Sequence, residues 1–191
     1  MAGTAAAEPS SARDRLLAAA IEHVAEHGVG ELSLRGLAAA LGTSHRMLSY
    51  HFGSREGLLV EVIRTVEEQQ RAALALTLAD SDAPPAEVMR RMWARVADEA
   101  LWPNERLFFE VYAQAIQGSP HALPVLDGIV DAWIEPLARL VAPGRPEAEA
   151  RAEARLAIAV VRGLLLDLLA TKDRAAVDAA IERYIASVAP A

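Results

Sequence analysis

Residues 32–59 read LSLRGLAAALGTSHRMLSYHFGSREGLL, and the fold follows from this stretch. Leu34, Leu37, Ala38 and Leu41 recur at helical spacing and define one buried face, with Ser33 placed as an N-cap. Gly42-Thr43-Ser44 makes a tight turn. A second short helix runs from about Ser44 to Phe52, where Gly53 stops it and Ser54 caps the next. Met47, Leu48 and Phe52 supply its inward side. Thr43, Ser44, His45, Arg46, Ser49, Tyr50 and His51 are left for the outside. Two short helices joined by a Gly-centred turn make a helix-turn-helix.

The same periodicity extends in both directions. Upstream, Leu16, Leu17, Ala20, Ile21 and Val24 form the stripe of a helix that Ser11 caps, with Asp14 in a variant capping box; Gly28 ends it. Residues 1–10, Ala-rich with Gly, Pro and Ser, read as a disordered tail. Downstream, Leu58, Leu59, Val62, Ile63 and Val66 mark a long fourth helix that fades before Asp80-Ser81-Asp82. Pro84-Pro85 open a helix carrying Val88, Met89, Met92, Trp93, Val96 and Ala97, which Trp102-Pro103 is expected to break. Phe108, Val111, Tyr112 and Ala115 define another. Ser119-Pro120 is expected to start the helix that presents Leu126, Ile129, Val130, Trp133, Ile134 and Leu137. After the turn Pro143-Gly144-Arg145-Pro146, two helices remain, the second starting near Asp173. No strand-like alternation or internal repeat occurs. The expectation is an all-α chain of about nine helices, with a tail (1–10), a three-helix head (11–53) and a helical body (54–191).

Composition narrows the function. The 191 residues are 53% hydrophobic, enough for a sizeable core, and contain no cysteine, which excludes disulfides, thiolate zinc sites and a Cys nucleophile. The longest strongly apolar run, Gly163 to Ala170, is interrupted by Asp167 and is too short to span a bilayer. With no signal segment, a soluble cytoplasmic protein without membrane contact is expected. The net charge is −7. Yet no acid falls between Glu31 and Glu56, while Arg35, His45, Arg46, His51 and Arg55 do. A local cationic surface on an acidic protein suits one specific anionic partner rather than general nucleic-acid coating.

In a helix-turn-helix the second helix enters the major groove of double-stranded DNA and its N-terminal residues meet base edges. The outward residues of this one are hydrogen-bonding side chains of varied length, with no acid to repel phosphate. Arg46 has the geometry to read guanine through two hydrogen bonds, or to pair with phosphate. Thr43 and Ser44 sit beside the free amides of a helix N-terminus, which favour anions.

The stretch resembles the DNA-binding signature of the TetR family of bacterial regulators. The resemblance rests on Leu41-Gly42, the polar Thr43-Ser44, Tyr50-His51-Phe52, Gly53-Ser54, Arg55 and Leu58-Leu59, with the preceding helix and its His27-Gly28 ending. It covers roughly residues 11 to 66; beyond them, helix number and total size agree. It implies that Arg55, Ser33 and Arg35 contact phosphates, that Tyr50 and His51 touch the backbone, and that Ser44 to Ser49 face the groove. Two positions depart from the pattern. Ser49 stands where the family often has Tyr, which shifts a backbone contact toward Tyr50. His45-Arg46 is bulkier than usual and belongs to the operator-specific part.

The family also places a ligand cavity among the middle helices. Core packing is the default for any aromatic at helical spacing, but the resemblance makes Met89, Trp93, Trp102, Phe108, Phe109, Tyr112 and Trp133 candidates for lining it, Trp93 and Tyr112 first. Glu99, Glu105, Glu110 and Gln114 are candidate polar contacts. In the last two helices, Leu156, Val160, Gly163, Leu164, Val177, Ile181, Tyr184 and Ile185 form apolar faces broad enough for an isologous homodimer interface, unless both faces pack within one chain. Two heads on successive half-sites would supply the specificity that one lacks.

The remaining signals are weaker. His23 and His27 share a helix face, but no second pair with that spacing exists, so no metal is expected, and no cofactor. No Gly-x-Ser-x-Gly elbow or phosphate-cradling loop is present, so an enzyme is not expected. The resulting reading is a ligand-responsive repressor acting on a palindromic operator as a homodimer, with a small-molecule effector. An activator of the same build, or a helical ligand-binding protein with a degenerate head, are the alternatives.

Overall fold

Ser11 opens the first helix as a reciprocal capping box: its hydroxyl accepts from the Asp14 amide and its own amide donates to the Asp14 carboxylate, both at 3.1 Å. In the computed structural model, which describes residues 11–28, 32–79, 83–142 and 144–188, nine α-helices follow one another. They are α1 (Ala12–His27), α2 (Leu34–Ala40), α3 (His45–Phe52), α4 (Arg55–Ala79), α5 (Pro85–Val96), α6 (Trp102–Ile116), α7 (Asp131–Val141), α8 (Glu147–Thr171) and α9 (Arg174–Val188), with short 3₁₀ turns at Glu99–Leu101 and Leu123–Leu126. No strand occurs among the described residues. The expected tail at residues 1–10, the Asp80-Ser81-Asp82 segment and Pro143 lie outside them.

Serine caps recur in the head. The Ser33, Ser44 and Ser54 hydroxyls accept from the amides of Gly36, Met47 and Gly57 at 3.0, 3.2 and 3.0 Å, each satisfying a donor that a helix start leaves free.

Two boundaries differ from the sequence reading. Trp102-Pro103 does not break a helix but starts α6, with Pro in its first turn, where a missing amide costs nothing; α5 has already ended at Val96. Ser119-Pro120 does not start a long helix. The chain passes through turns and the Leu123–Leu126 3₁₀ turn, and α7 begins only at Asp131. Gly128, at φ +68°, lies in the turn that separates Leu126 from the α7 stripe.

Three hydrophobic clusters make the core. One joins α1, α2 and α3 to the first half of α4, to α6 and to the Leu123–Ile129 segment, around Val24, Leu37, Leu48, Leu58, Val62, Leu107 and Val125. A second lies between α5, α7 and the first half of α8, around Val88, Ile134, Leu140 and Ala154. The third joins α5 and the second half of α8 to α9, around Trp93, Leu168, Val177, Ile181 and Ile185. The first cluster has no gap between residues 53 and 54, so the head shares its core with α4 and α6. No helix among the described residues is long and apolar enough to cross a membrane.

Candidate nucleic-acid interface and buried cavity

The short helix α3 rests on one rib. Leu48 is fully buried and Phe52 nearly so, four residues apart. The rest of the helix faces outward. Ser44, His45, Arg46 and Tyr50 are exposed, Thr43 and Ser49 half-buried, and Tyr50 keeps 79% of its accessible surface. Arg35 lies exposed at the start of α2 beside the exposed Ser33. Neither Arg35 nor Arg46 has an ion-pair partner among the described residues. Met47, expected inward, is 40% exposed: eight residues make only one buried rib, and Met47 lies about 100° around the helix from Leu48.

Two expected contact residues have a second engagement. His51, expected on the outside, is half-buried, with its Nε2 buried and unpartnered and its ring edge-on to Tyr50 at 5.0 Å. Arg55 donates from Nε to the Leu32 carbonyl at 2.6 Å and approaches Glu56 at 3.8 Å. It therefore ties the start of α4 to the segment entering α2.

Two further residues, not singled out from the sequence, position α3. Arg13 of α1 lies 5.4 Å from the Phe52 ring centre and forms an ion pair with Glu61 of α4. At Gly57, a Cβ would stand 2.3 Å from the Phe52 carbonyl oxygen. Only glycine lets the last turn of α3 approach the first turn of α4 so closely.

The body encloses a cavity of about 100 Å³ walled by α4 to α9. Met89, Trp93, Phe108, Phe109 and Trp133 line it, as do Met92, Leu137, Ile158, Leu165, Ile181, Tyr184 and Ile185. Trp102 and Tyr112 do not. Tyr112 stacks on Phe108 at 5.3 Å with Arg162 above both rings. The Trp102 indole donates to the Ala97 carbonyl at 3.3 Å, and the Lys172 ammonium lies over its ring. Of the four polar residues considered, Glu105 alone reaches the cavity; Glu99 and Glu110 are exposed.

Glu67 and Gln70, on the α4 face toward the body, were missed because a lone Glu or Gln on a long polar helix gives no sign of burial. The Glu67 carboxylate accepts from the Trp133 indole at 2.7 Å and lies 3.9 Å from Arg71. Glu105 accepts from the Gln70 side-chain amide at 2.8 Å. Burial raises both carboxyls, that of Glu105 from an ordinary 4.5 to about 7, offset by the Gln70 hydrogen bond, raised further by Glu67 and lowered by Arg162. An open cleft of about 660 Å³ between α4 and α5 shares Gln70, Met92, Val96 and Trp133 with the cavity and leads to solvent.

The expected dimer residues divide. Val177, Ile181 and Ile185 are buried against α5 and α8 of their own chain, and Tyr184 is half-buried and turned to the cavity. The α9 stripe therefore packs within the protomer, because α5 and the end of α8 already cover it. Leu156 and Gly163 are exposed, Val160 and Leu164 half-buried. Leu166, which the sequence reading did not single out, joins Leu156 outside, each just over half exposed. His23 and His27 stack on each other at 4.3 Å.

Known proteins resemble this arrangement. A family model described as bacterial regulatory proteins, tetR family, matches residues 16–62. The HTH-type transcriptional regulatory protein RaaS of Mycobacterium tuberculosis is 39% identical over 72 residues, which are 38% of this chain and 34% of that protein. The match thus spans about a third of the relative's length. The crystal structure of a TetR transcriptional regulator from Legionella pneumophila aligns with a TM-score of 0.75 at 20% identity, over 96% of this chain and all of that one. A transcriptional regulator from Saccharomonospora viridis, in complex with choline, aligns with a TM-score of 0.70 at 21% identity, over 92% and 94% of the two chains. Those two likenesses are in the fold, while the likeness of residues 16–62 is in the sequence that builds the head. Residues 16–62 thus match the head of the tetR family of bacterial regulatory proteins, and the order and packing of the nine helices among the described residues match the fold of those solved regulators.

Proposed function

We propose that the protein is a DNA-binding transcriptional regulator that acts as a homodimer on a palindromic operator and is released from it by a small molecule held in the buried cavity. The observation that carries this reading is α3: a helix anchored by Leu48 and Phe52 alone, with its polar residues exposed. In the major groove, Ser44, His45, Arg46 and Ser49 face base edges, and Thr43, Tyr50 and His51 face the backbone. Ser33, Arg35 and Arg55 take phosphates. The capping hydroxyls of Ser33 and Ser44 use a lone pair and keep a proton to donate.

The outer face of α8, with Leu156, Gly163 and Leu166, supports an isologous interface in which Gly163 permits close approach. Val160 and Leu164 border it. The same helix α4 that begins at the head with Arg55 carries Glu67 and Gln70 to the cavity, which supports coupling between the two places. A ligand shifts the balance only by its differential affinity for the two arrangements. The choline complex of the Saccharomonospora viridis protein shows one protein of this fold with a small molecule bound.

Selection of bound sequences from random duplexes tests the reading. A palindrome with half-sites about one helical turn or more apart is expected, and failure to recover one would leave a helical ligand-binding protein instead. In the same selection Arg46→Ala changes the recovered sequence if Arg46 reads a base. Arg35→Ala weakens all sequences alike and lowers the salt slope by about one. Arg55→Ala is the less clean phosphate variant, because it also removes the bond to the Leu32 carbonyl.

A further inference from the structure

We propose that the cavity is built for a small organic cation, a protonated amine on an apolar body, with Glu105 as its counter-ion. The inference rests on the reading of this cavity as the effector site, and it names the ligand class.

Glu105 is 5% exposed, in an aromatic and aliphatic enclosure, and its one hydrogen bond among the described residues comes from the neutral Gln70 amide. No Arg, Lys or His lies within ion-pair distance of it among those residues. The second buried acid, Glu67, is already served by the Trp133 indole and Arg71. A carboxylate in such a place needs a charged partner or keeps a proton.

The unmet polar atoms nearby are also oxygens. Asn104 is 8% exposed with its Oδ1 unpartnered, beside a small void that Glu105, Glu67, Gln70 and Phe108 also line. The Tyr184 hydroxyl, on the α9 wall of the cavity, is buried and unpartnered. The Asn104 Oδ1 can only accept and the Tyr184 hydroxyl can accept or donate, so a ligand that donates satisfies both. Trp93, Phe108, Phe109 and Trp133 supply ring faces and edges suited to a cation and its hydrocarbon.

Among the described residues, Arg162 is the one cation lining the cavity. It lies over the Phe108 and Tyr112 rings and donates to the Ile129 carbonyl at 3.2 Å, so it is held on the α6–α8 seam. The groups acting on Glu105 are thus Glu67 and Gln70 from α4 and Arg162 from α8, with Asn104 beside it on α6, while Arg71 of α4 and Trp133 of α7 are engaged by Glu67. An engineered apolar cavity of about 150 Å³ takes benzene. At about 100 Å³, this one is smaller, so a ligand of benzene's size or a little more enters only as the cavity widens toward the cleft that shares Gln70, Met92, Val96 and Trp133 with it.

Three phenyl probes of nearly equal size but different charge test this by calorimetry on the full chain: benzylamine, benzyl alcohol and benzoate. Benzylamine is expected to saturate the protein, with benzyl alcohol about tenfold weaker or worse and benzoate weaker still. Glu105→Gln should cost benzylamine about tenfold or more and leave benzyl alcohol nearly unchanged; the second probe and a melting curve report whether that variant is folded. Because the raised carboxyl must ionise to receive the cation, benzylamine should release protons at pH 7 and bind about tenfold more weakly at pH 6 than at pH 8. Benzyl alcohol or benzoate equalling benzylamine, no saturable benzylamine binding, or unchanged benzylamine affinity in Glu105→Gln would each overturn the proposal. Operator release measured in parallel separates the two claims. Glu105-dependent benzylamine binding that leaves DNA bound upholds the ligand class and sinks the switch. Release by benzyl alcohol, with no benzylamine binding, does the reverse.

Discussion

At the residue scale, the most consequential side chain is Glu105. Its carboxyl is raised from 4.5 to about 7, first by burial and also by Glu67, with the Gln70 hydrogen bond and Arg162 pulling the other way. The folded protein therefore holds this proton more tightly than the unfolded chain does. Its contribution to stability is most favourable below about pH 4.5, is lost as pH rises from there to about 7, and stays lost above. The span corresponds to an effect on the order of 3 kcal/mol. Glu105→Gln keeps the shape and removes the titration. The variant should match the parent near pH 5 and exceed it in urea midpoint at pH 8. An equal difference at both pH values would mean that the carboxyl is not penalised by burial. Glu67, raised for the same first cause, remains in both proteins and does not mask the comparison.

At the scale of elements, the junction of α3 and α4 positions the reading helix. The α3 C-terminus is held by Phe52 packing, by Arg13 near the Phe52 ring, and by the close approach of the Phe52 carbonyl to Gly57. In an ordinary helix Gly to Ala is favourable by about 1 kcal/mol. Here the added methyl meets backbone at 2.3 Å, and backbone cannot swing aside as a side-chain tip can. Gly57→Ala should therefore destabilise by about 1–3 kcal/mol and weaken operator binding beyond what the lost folded fraction explains, because α3 must move to make room. Thermal melting paired with a gel shift at a temperature where both proteins are folded would read this. A variant as stable as the parent would show that the junction yields.

At the scale of the whole molecule, the outer face of α8 is the proposed link between two protomers. Gly163 is exposed, and a Cβ there would meet nothing within 4 Å in its own chain. Gly163→Arg should leave the protomer's fold intact, with a small gain in helix propensity, and should block the face by bulk and charge. The expected outcome is a folded monomer by sedimentation, with DNA binding weakened because two half-sites are no longer held together. A variant that stays dimeric would move the interface elsewhere. Val177, Ile181 and Ile185 give no such test, since cutting them opens the protomer's own core.

What sequence alone determined is what local physics determines. The helices of the head, the serine caps and the polar face of α3 follow from side-chain period and from hydroxyls placed before helices, interactions that span a few residues. The all-α class and the family resemblance rest on the same short-range signals. Tertiary structure decided the rest. Leu156 and Ile181 occupy similar apolar stripes, yet one faces outward and the other is covered, because only the position of α5 fixes which side of α9 is occupied. Trp102-Pro103 and Ser119-Pro120 look like equivalent punctuation, and packing made one a helix start and the other a turn. Whether Glu105 or Glu110 meets the cavity depends on how α6 is rotated against α4 and α8, a long-range choice that spacing along one helix does not contain.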